Sequence, residues 1–86
     1  MDSIKLEKLI TENMKSIFGF ALTRLGNVND AEYLASDILY EIIKSAKNLN
    51  EEERFYGFMW KIAENVFVDF LRKRSKITNR TTELDE

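Results

Sequence analysis

Helical periodicity runs through this chain with no proline to interrupt it. Proline is absent from the 86 residues and glycine occurs three times, so the two residues that most often break helices are scarce. Apolar residues recur at three- and four-residue spacing in three segments, which is typical of amphipathic helices. We therefore expect an all-α fold, in which short connections join the helices into a compact three- to four-helix bundle.

The first two helices have recognisable ends. The first is predicted over about 3–25, and Gly26 follows it at the place of a left-handed C-cap. The second is predicted to begin at Asn29, because Glu32 stands three residues later and can complete a capping box. It fades in the polar stretch 47–50.

The third helix is predicted to begin at a second box-like sequence, Asn50 to Glu53, and to continue to about Ser75. Polar residues follow it. We expect residues 1–76 to form one domain and residues 77–86 to be a polar tail or linker.

The third helix carries more apolar surface than one core stripe needs. A second stripe lies beside the main one, and two interpretations of it stay open. It either widens the core beneath the neighbouring helices or is an aromatic surface for stacking bases. Its members are Tyr56, Trp60, Phe67 and Leu71.

The composition excludes most kinds of catalytic site and metal site. Cysteine and histidine are both absent, which removes disulfides, thiol nucleophiles, the commonest general base and the commonest metal ligand. The remaining polar groups form no convincing nucleophile or acid–base pair, so we expect no enzyme, cofactor, metal or small-molecule substrate. No apolar run reaches the roughly 18 to 20 residues of a membrane span, and no signal segment opens the chain. We expect a cytoplasmic protein with no membrane partner.

Charge is distributed unevenly along the chain. Residues 1–71 carry 8 basic and 12 acidic side chains, whereas residues 72–80 carry five basic side chains and no acidic one. An acidic body with one basic end is typical of a protein that meets phosphate at one place.

Three motifs in this order resemble region 2 of the sigma-70 family of RNA polymerase sigma factors, especially its extracytoplasmic-function (ECF) group. Residues 30–40 are similar to the D-A-E-D-L-x-Q-E-x-F stretch of that group. Residues 55–65 are similar to its F-x-x-W-L-x-x-I-A-x-N, and residues 68–74 to its I-D-Y-L-R-[RK]-R continuation. Residues 20–26 also resemble the F-A-x-R-x-x-G-like stretch that precedes the first motif in that group. The likeness covers about 15–76 and implies a helical bundle of region 2 type.

The resemblance implies docking on the β′ clamp helices of RNA polymerase through the outer face of the second helix. Two apolar positions there are shared between core and interface, with plain core the simpler explanation for both: Leu39 and Ile43. The matching polar positions are Glu32, Ser36, Asp37 and Tyr40.

The resemblance also implies recognition and melting of the promoter −10 element through its non-template strand. Asn65 would bond a flipped base, and Ile62 and Leu49 would line the pocket that holds it. Cations would hold the phosphates, which position a protein without specifying sequence. These cations are Lys61, Arg72, Lys73, Arg74 and Lys76.

Asp69 receives a structural role. It stands one turn beyond Asn65 at the edge of the apolar stripe, and a partly buried carboxylate needs a partner. The family pattern suggests Arg24, so we expect a structural ion pair between Arg24 and Asp69.

Two alternatives remain. A region 2-like interaction module would bind polymerase or an anti-sigma factor without sequence-specific DNA recognition, which the acids at 51–53 and Glu64 favour. A truncated helix-turn-helix regulator would need a short second helix, which the sequence does not predict. We also expect that the second domain of a complete factor, region 4, is not in this chain, which would make it one domain cut in the interdomain linker.

Overall fold

The computed structural model describes residues 2–85, with the side chains of residues 2–75. Two short 3₁₀ turns, Ala46–Asn48 and Glu52–Arg54, separate the second and third α-helices. The described residues contain no strand, which confirms the all-α expectation. The helices are α1 (Ser3–Leu25), α2 (Val28–Ser45) and α3 (Phe55–Asp85).

Helix α3 ends ten residues later than the sequence analysis predicted. The prediction stopped it near Ser75 because the following residues are polar, but the helix continues to Asp85. Neither proline nor glycine occurs after Gly57, so nothing in this stretch excludes helical backbone.

None of the helices in the described part of the chain combines the length and the apolar character that a membrane span requires.

Local hydrogen bonds fix both ends of α1. The Asp2 carboxylate accepts the N–H of Ile4 at 3.0 Å and caps the first turn. At the other end Gly26 has φ 66°, and its N–H donates to the carbonyl of Leu22 at 2.8 Å. This is the left-handed C-cap predicted for Gly26, and it turns the chain directly into α2.

The N-cap of α2 is Asn27, not Asn29. Its side-chain oxygen accepts the N–H of Asp30 at 3.0 Å, and its own backbone is extended, with φ −139°. The predicted box from Asn29 to Glu32 was wrong because Gly26 and Asn27 alone complete the turn. Asn29 already lies inside the helix.

The predicted box at Asn50 to Glu53 was also wrong. Glu51 precedes the 3₁₀ turn Glu52–Arg54 without a side-chain capping bond, and α3 begins at Phe55. Phe55 is only 2% exposed. The connection is therefore organised by burial of this ring at the start of α3, because burial of an aromatic side chain stabilises by about 1.5–3 kcal/mol and an N-cap typically by about 1 kcal/mol.

The core is centred on α2, which packs against both α1 and α3. Small side chains at Ala21, Ala31, Ala35 and Ala63 let the helices approach closely, and larger side chains fill the spaces between them. The described residues contain no buried polar or charged side chain. The larger fully buried side chains are Ile17, Leu34, Ile38, Ile42, Phe55 and Met59.

The second stripe of α3 divides into two parts. Trp60 and Phe67 are half-buried against Phe20 of α1, with ring centroids 5.4 Å and 6.1 Å from the Phe20 ring. Tyr56 and Leu71, at the ends of the stripe, are exposed. The wide-core interpretation therefore holds for the two central residues, which join α1 to α3.

Candidate functional site

A groove of about 510 Å³ runs between α2 and α3. Its α2 wall is polar and largely acidic, and its α3 wall combines apolar side chains with an amide and a cation. From α2 it is lined by Asp37, Tyr40, Glu41 and Ser45. From α3 it is lined by Ile62, Asn65, Val66, Asp69, Phe70 and Lys73.

Two sets of predicted residues meet in this groove. Asp37 and Tyr40 were assigned to polymerase docking, and Ile62, Asn65 and Lys73 to DNA. Of the other lining residues, the sequence prediction named only Asp69, and it placed Asp69 in a structural ion pair and not in this groove. The spacing could have placed Asp69 in the groove. It stands midway between Asn65 and Lys73 at four-residue intervals, so it shares their face of α3.

A polar stripe lies on α3 beside the groove. Lys61, Asn65, Val68 and Arg72 follow one another at intervals of four, three and four residues, so they share one side of the helix. All four are exposed, Val68 to 43%. Asn65 belongs both to this stripe and to the groove. A strand lying along the stripe would therefore reach the amide and both cations.

The three consecutive cations at the end of this stripe have three different surroundings. Arg72 faces solvent on the stripe, and Lys73 lines the groove. Arg74 points to α2, where its Nη1 lies 3.4 Å from a carboxylate oxygen of Asp30. The side chain of Lys76, the fifth predicted phosphate contact, lies outside the described residues.

The outer face of α2 carries unusually large exposed apolar side chains. Tyr33, Tyr40 and Ile43 are 63%, 64% and 58% exposed. With Ser36 they follow one another at intervals of three, four and three residues, and so form one stripe. The core placement expected for Ile43 was therefore wrong, whereas Leu39 is half-buried against the core as expected. Tyr33 was missed, although it stands seven residues before Tyr40 and shares its face.

Leu49 does not join Ile62 in a pocket. It is half-buried and packs against the core, whereas Ile62 lines the groove between α2 and α3. The groove lining contains no residue from the 3₁₀ turns or the loop between them. In this structure the groove is therefore made by the two helices, and Leu49 supports the connection between them.

The ion pair predicted between Arg24 and Asp69 is not formed. The Arg24 guanidinium carbon lies 3.9 Å from the centre of the Phe20 ring and 5.8 Å from that of Phe67. Asp69 is exposed and lines the groove on the α2 side. Phe67 and Asp69 stand two residues apart, so their side chains leave α3 about 200° from each other. Arg24 therefore stacks on rings, as guanidinium groups often do.

Two of the three acids before α3 pair with nearby cations. Glu51 lies 2.9 Å from Nε of Arg54, and Glu52 lies 3.5 Å from Nζ of Lys5. All four of these side chains are largely exposed, so the pairs are weak. They nevertheless offset part of the negative charge in this connection.

The described residues contain no group of histidine, cysteine or carboxylate side chains suited to a metal ion. The groove offers hydrogen-bonding groups above apolar side chains, an arrangement that can hold a flat, polar-edged group such as a base. Its acids, Asp37, Glu41 and Asp69, outnumber its one cation, Lys73. A phosphate backbone would therefore bind beside the groove rather than in it.

Comparisons with known proteins agree with the all-α fold. Residues 9–77 match the protein family described as Sigma-70 region 2. The chain is also 27% identical over 71 residues to the ECF RNA polymerase sigma factor SigE of Mycolicibacterium smegmatis. That alignment covers 83% of this chain and 27% of the relative, so the chain spans about a quarter of that relative's length. No solved structure matches the chain.

Proposed function

Because the chain belongs to the sigma-70 region 2 family, we propose that it acts in transcription initiation, docking on RNA polymerase and holding unstacked bases of the promoter −10 element. Docking uses the outer face of α2, and base recognition uses Asn65 and the groove beside it. The observation that carries the proposal is the position of Asn65, whose exposed amide belongs both to the groove and to the polar stripe of α3.

The outer face of α2 supports the docking half. Tyr33, Tyr40 and Ile43 each leave more than half of their surface exposed, and Glu32 and Ser36 lie exposed among them. An apolar centre with a polar rim is the usual anatomy of a helix-on-helix interface. The β′ clamp helices of polymerase are the partner that the family membership suggests.

The groove and the stripe support the DNA half. A flipped base needs apolar contact for its ring and hydrogen bonds for its edge, which Ile62, Val66 and Asn65 offer at one place. Lys61 and Arg72 flank Asn65 by one to two turns along the same face, where they can bind successive phosphates. An amide beside two cations supports this use of the face better than a solvated structural surface.

The acidity of the groove favours a second candidate, a module that binds polymerase or an anti-sigma factor without recognising DNA sequence. Asp37, Glu41 and Asp69 would repel a strand that lay deep between the helices. The two candidates share the docking face and differ in base preference. Binding to polymerase without preference for any single-stranded sequence would establish the second.

Capture by an immobilised β′ clamp-helix fragment tests the docking half. We expect Ile43→Glu to weaken capture by about tenfold or more, because it places a charge in the centre of the interface. Thr23→Glu is the matched control, since Thr23 is exposed on α1. Equal capture of both variants and the unsubstituted chain would move the interface away from α2.

A further inference from the structure

Arg74 contacts a carboxylate and an aromatic ring of its own chain, and phosphate binding requires neither contact. Its Nη1 lies 3.4 Å from Oδ2 of Asp30, and its guanidinium carbon lies 5.9 Å from the centre of the Phe70 ring. The Phe70 ring in turn lies 6.1 Å from the ring of Tyr33. Two residues of α2 and two of α3 thus form one cluster, Asp30, Tyr33, Phe70 and Arg74.

Arg74 lies on the other side of α3 from the polar stripe that contains Lys61, Asn65 and Arg72. Arg72 and Arg74 leave α3 about 200° apart, so a strand that follows Lys61, Asn65 and Arg72 lies on the other side of the helix. Asp30 also stands in the first turn of α2, where a carboxylate is favoured by the positive end of the helix. The N-terminal end of α2 therefore stabilises the Asp30 carboxylate that pairs with Arg74.

We infer that Arg74 is a positioning residue and not a phosphate contact. Its pairing with Asp30 holds α3 at residue 74 against the first turn of α2, which keeps Phe70 and Lys73 on the groove beside Asn65. This inference rests on the proposed function for its effect on DNA. The contact itself belongs to the fold and can be tested without DNA.

The sign of the effect distinguishes positioning from phosphate binding. If Arg74 bound phosphate and Asp30 only competed for it, Asp30→Asn would strengthen oligonucleotide binding and steepen its salt dependence. A positioning role predicts instead a weaker base preference with an unchanged salt dependence. Asp30→Asn and Arg74→Gln should each weaken the preference for a −10 oligonucleotide over a scrambled one, by up to about fivefold for an exposed pair. Neither should change the slope of log K against log salt.

The charge-swapped variant, Asp30→Arg with Arg74→Asp, completes the test. It removes the cation at position 74 but retains a pair. Because an arginine in the first turn of α2 loses the favourable interaction that Asp30 has with the helix N-terminus, we expect it to recover part of the lost preference. Glu12→Gln is the control, since it makes the same charge change as Asp30→Asn at an exposed position of α1 that belongs to neither proposed binding surface. A swap that fails to recover preference, or an Arg74→Gln variant with a flatter salt slope, would overturn the inference.

Amide hydrogen exchange of residues 70–74 supplies the second readout. We expect faster exchange there in Asp30→Asn, recovery in the charge-swapped variant and no change in Glu12→Gln. If the unsubstituted chain shows no base preference at all, the proposed function fails, and exchange alone then decides the role of Arg74. Unchanged exchange in Asp30→Asn would overturn the positioning role whatever the oligonucleotides show.

Discussion

Asp37 of α2 and Asn65 of α3 line the same groove. The family resemblance implied polymerase docking for the first and base recognition for the second. Because the two residues share one surface, the two proposed activities would border each other across the α2–α3 interface. A substitution on the groove wall can therefore alter both, whereas one at Ile43, which is exposed on α2 and does not line the groove, should alter docking alone.

Asp37→Arg should change both activities. It reverses a charge at the edge of the docking face, so capture by the clamp-helix fragment should fall. It also makes the groove less acidic, so oligonucleotides of any sequence should bind more tightly at low salt, with reduced preference for −10 sequence. Ser36→Arg is the control, because Ser36 is exposed on α2 and does not line the groove. It should weaken capture and leave base preference unchanged, and equal oligonucleotide profiles for both variants would contradict the shared groove.

Lys61 and Arg72 should each contribute one phosphate contact. Replacing either by glutamine should lower the magnitude of the slope of log K against log salt by about 0.7 for single-stranded DNA. Titrations by fluorescence anisotropy at several salt concentrations measure this slope. Lys8→Gln, which removes an exposed cation from α1, should leave it unchanged. A loss of the same size in Lys8→Gln would indicate a general charge effect rather than contacts along α3.

Gly26 and Gly57 should respond to alanine with opposite signs. Nothing lies within 4 Å of a Cβ added at either position, so crowding plays no part. Gly26 has φ 66°, where an L side chain costs about 1–2 kcal/mol. Gly57 lies inside α3 on an exposed face, where alanine should stabilise by about 0.5–1 kcal/mol. Urea unfolding of both variants measures the difference, and destabilisation by Gly57→Ala would contradict the helical assignment at that position.

Arg24 should couple energetically to Phe20 and not to Asp69. A double-mutant cycle between Arg24→Ala and Phe20→Leu should give a coupling free energy of about 0.5–1 kcal/mol, as expected for an exposed cation over a ring. The cycle between Arg24→Ala and Asp69→Ala should give a value near zero. Coupling of comparable size to Asp69 would restore the ion pair that the family pattern suggested.

Much of the fold could be predicted from the sequence because helical spacing and the C-cap are local signals. The bounds of α1 and the left-handed Gly26 followed from them directly and are confirmed. The N-caps were less predictable, because Asn27 and Asn29 offer the same side chain two residues apart. The choice between them depends on how tightly Gly26 turns the chain, which the pattern does not encode.

The surroundings of the site residues were harder to predict than the helices that carry them. The family pattern suggested Arg24 as the partner of Asp69, but the rotation of α3 places Phe67, which Arg24 contacts, and Asp69 on different faces. Ile43 looked like core because it continues an apolar run, yet α2 turns it to solvent. The residues facing a neighbouring helix depend on packing across the bundle, which sequence spacing within one helix does not determine.

Base recognition by Asn65 is tested most directly by the affinity of short non-template-strand oligonucleotides for the chain and its Asn65→Ala variant. Fluorescence anisotropy should show that the unsubstituted chain prefers −10 sequence over scrambled sequence. Asn65→Ala should lose about 1–3 kcal/mol of that preference, the value of one good amide–base pairing. Val68→Ala, an exposed neighbour on the same stripe, should retain it. Equal affinity for every oligonucleotide, unchanged by Asn65→Ala, would contradict the proposed recognition of the −10 element.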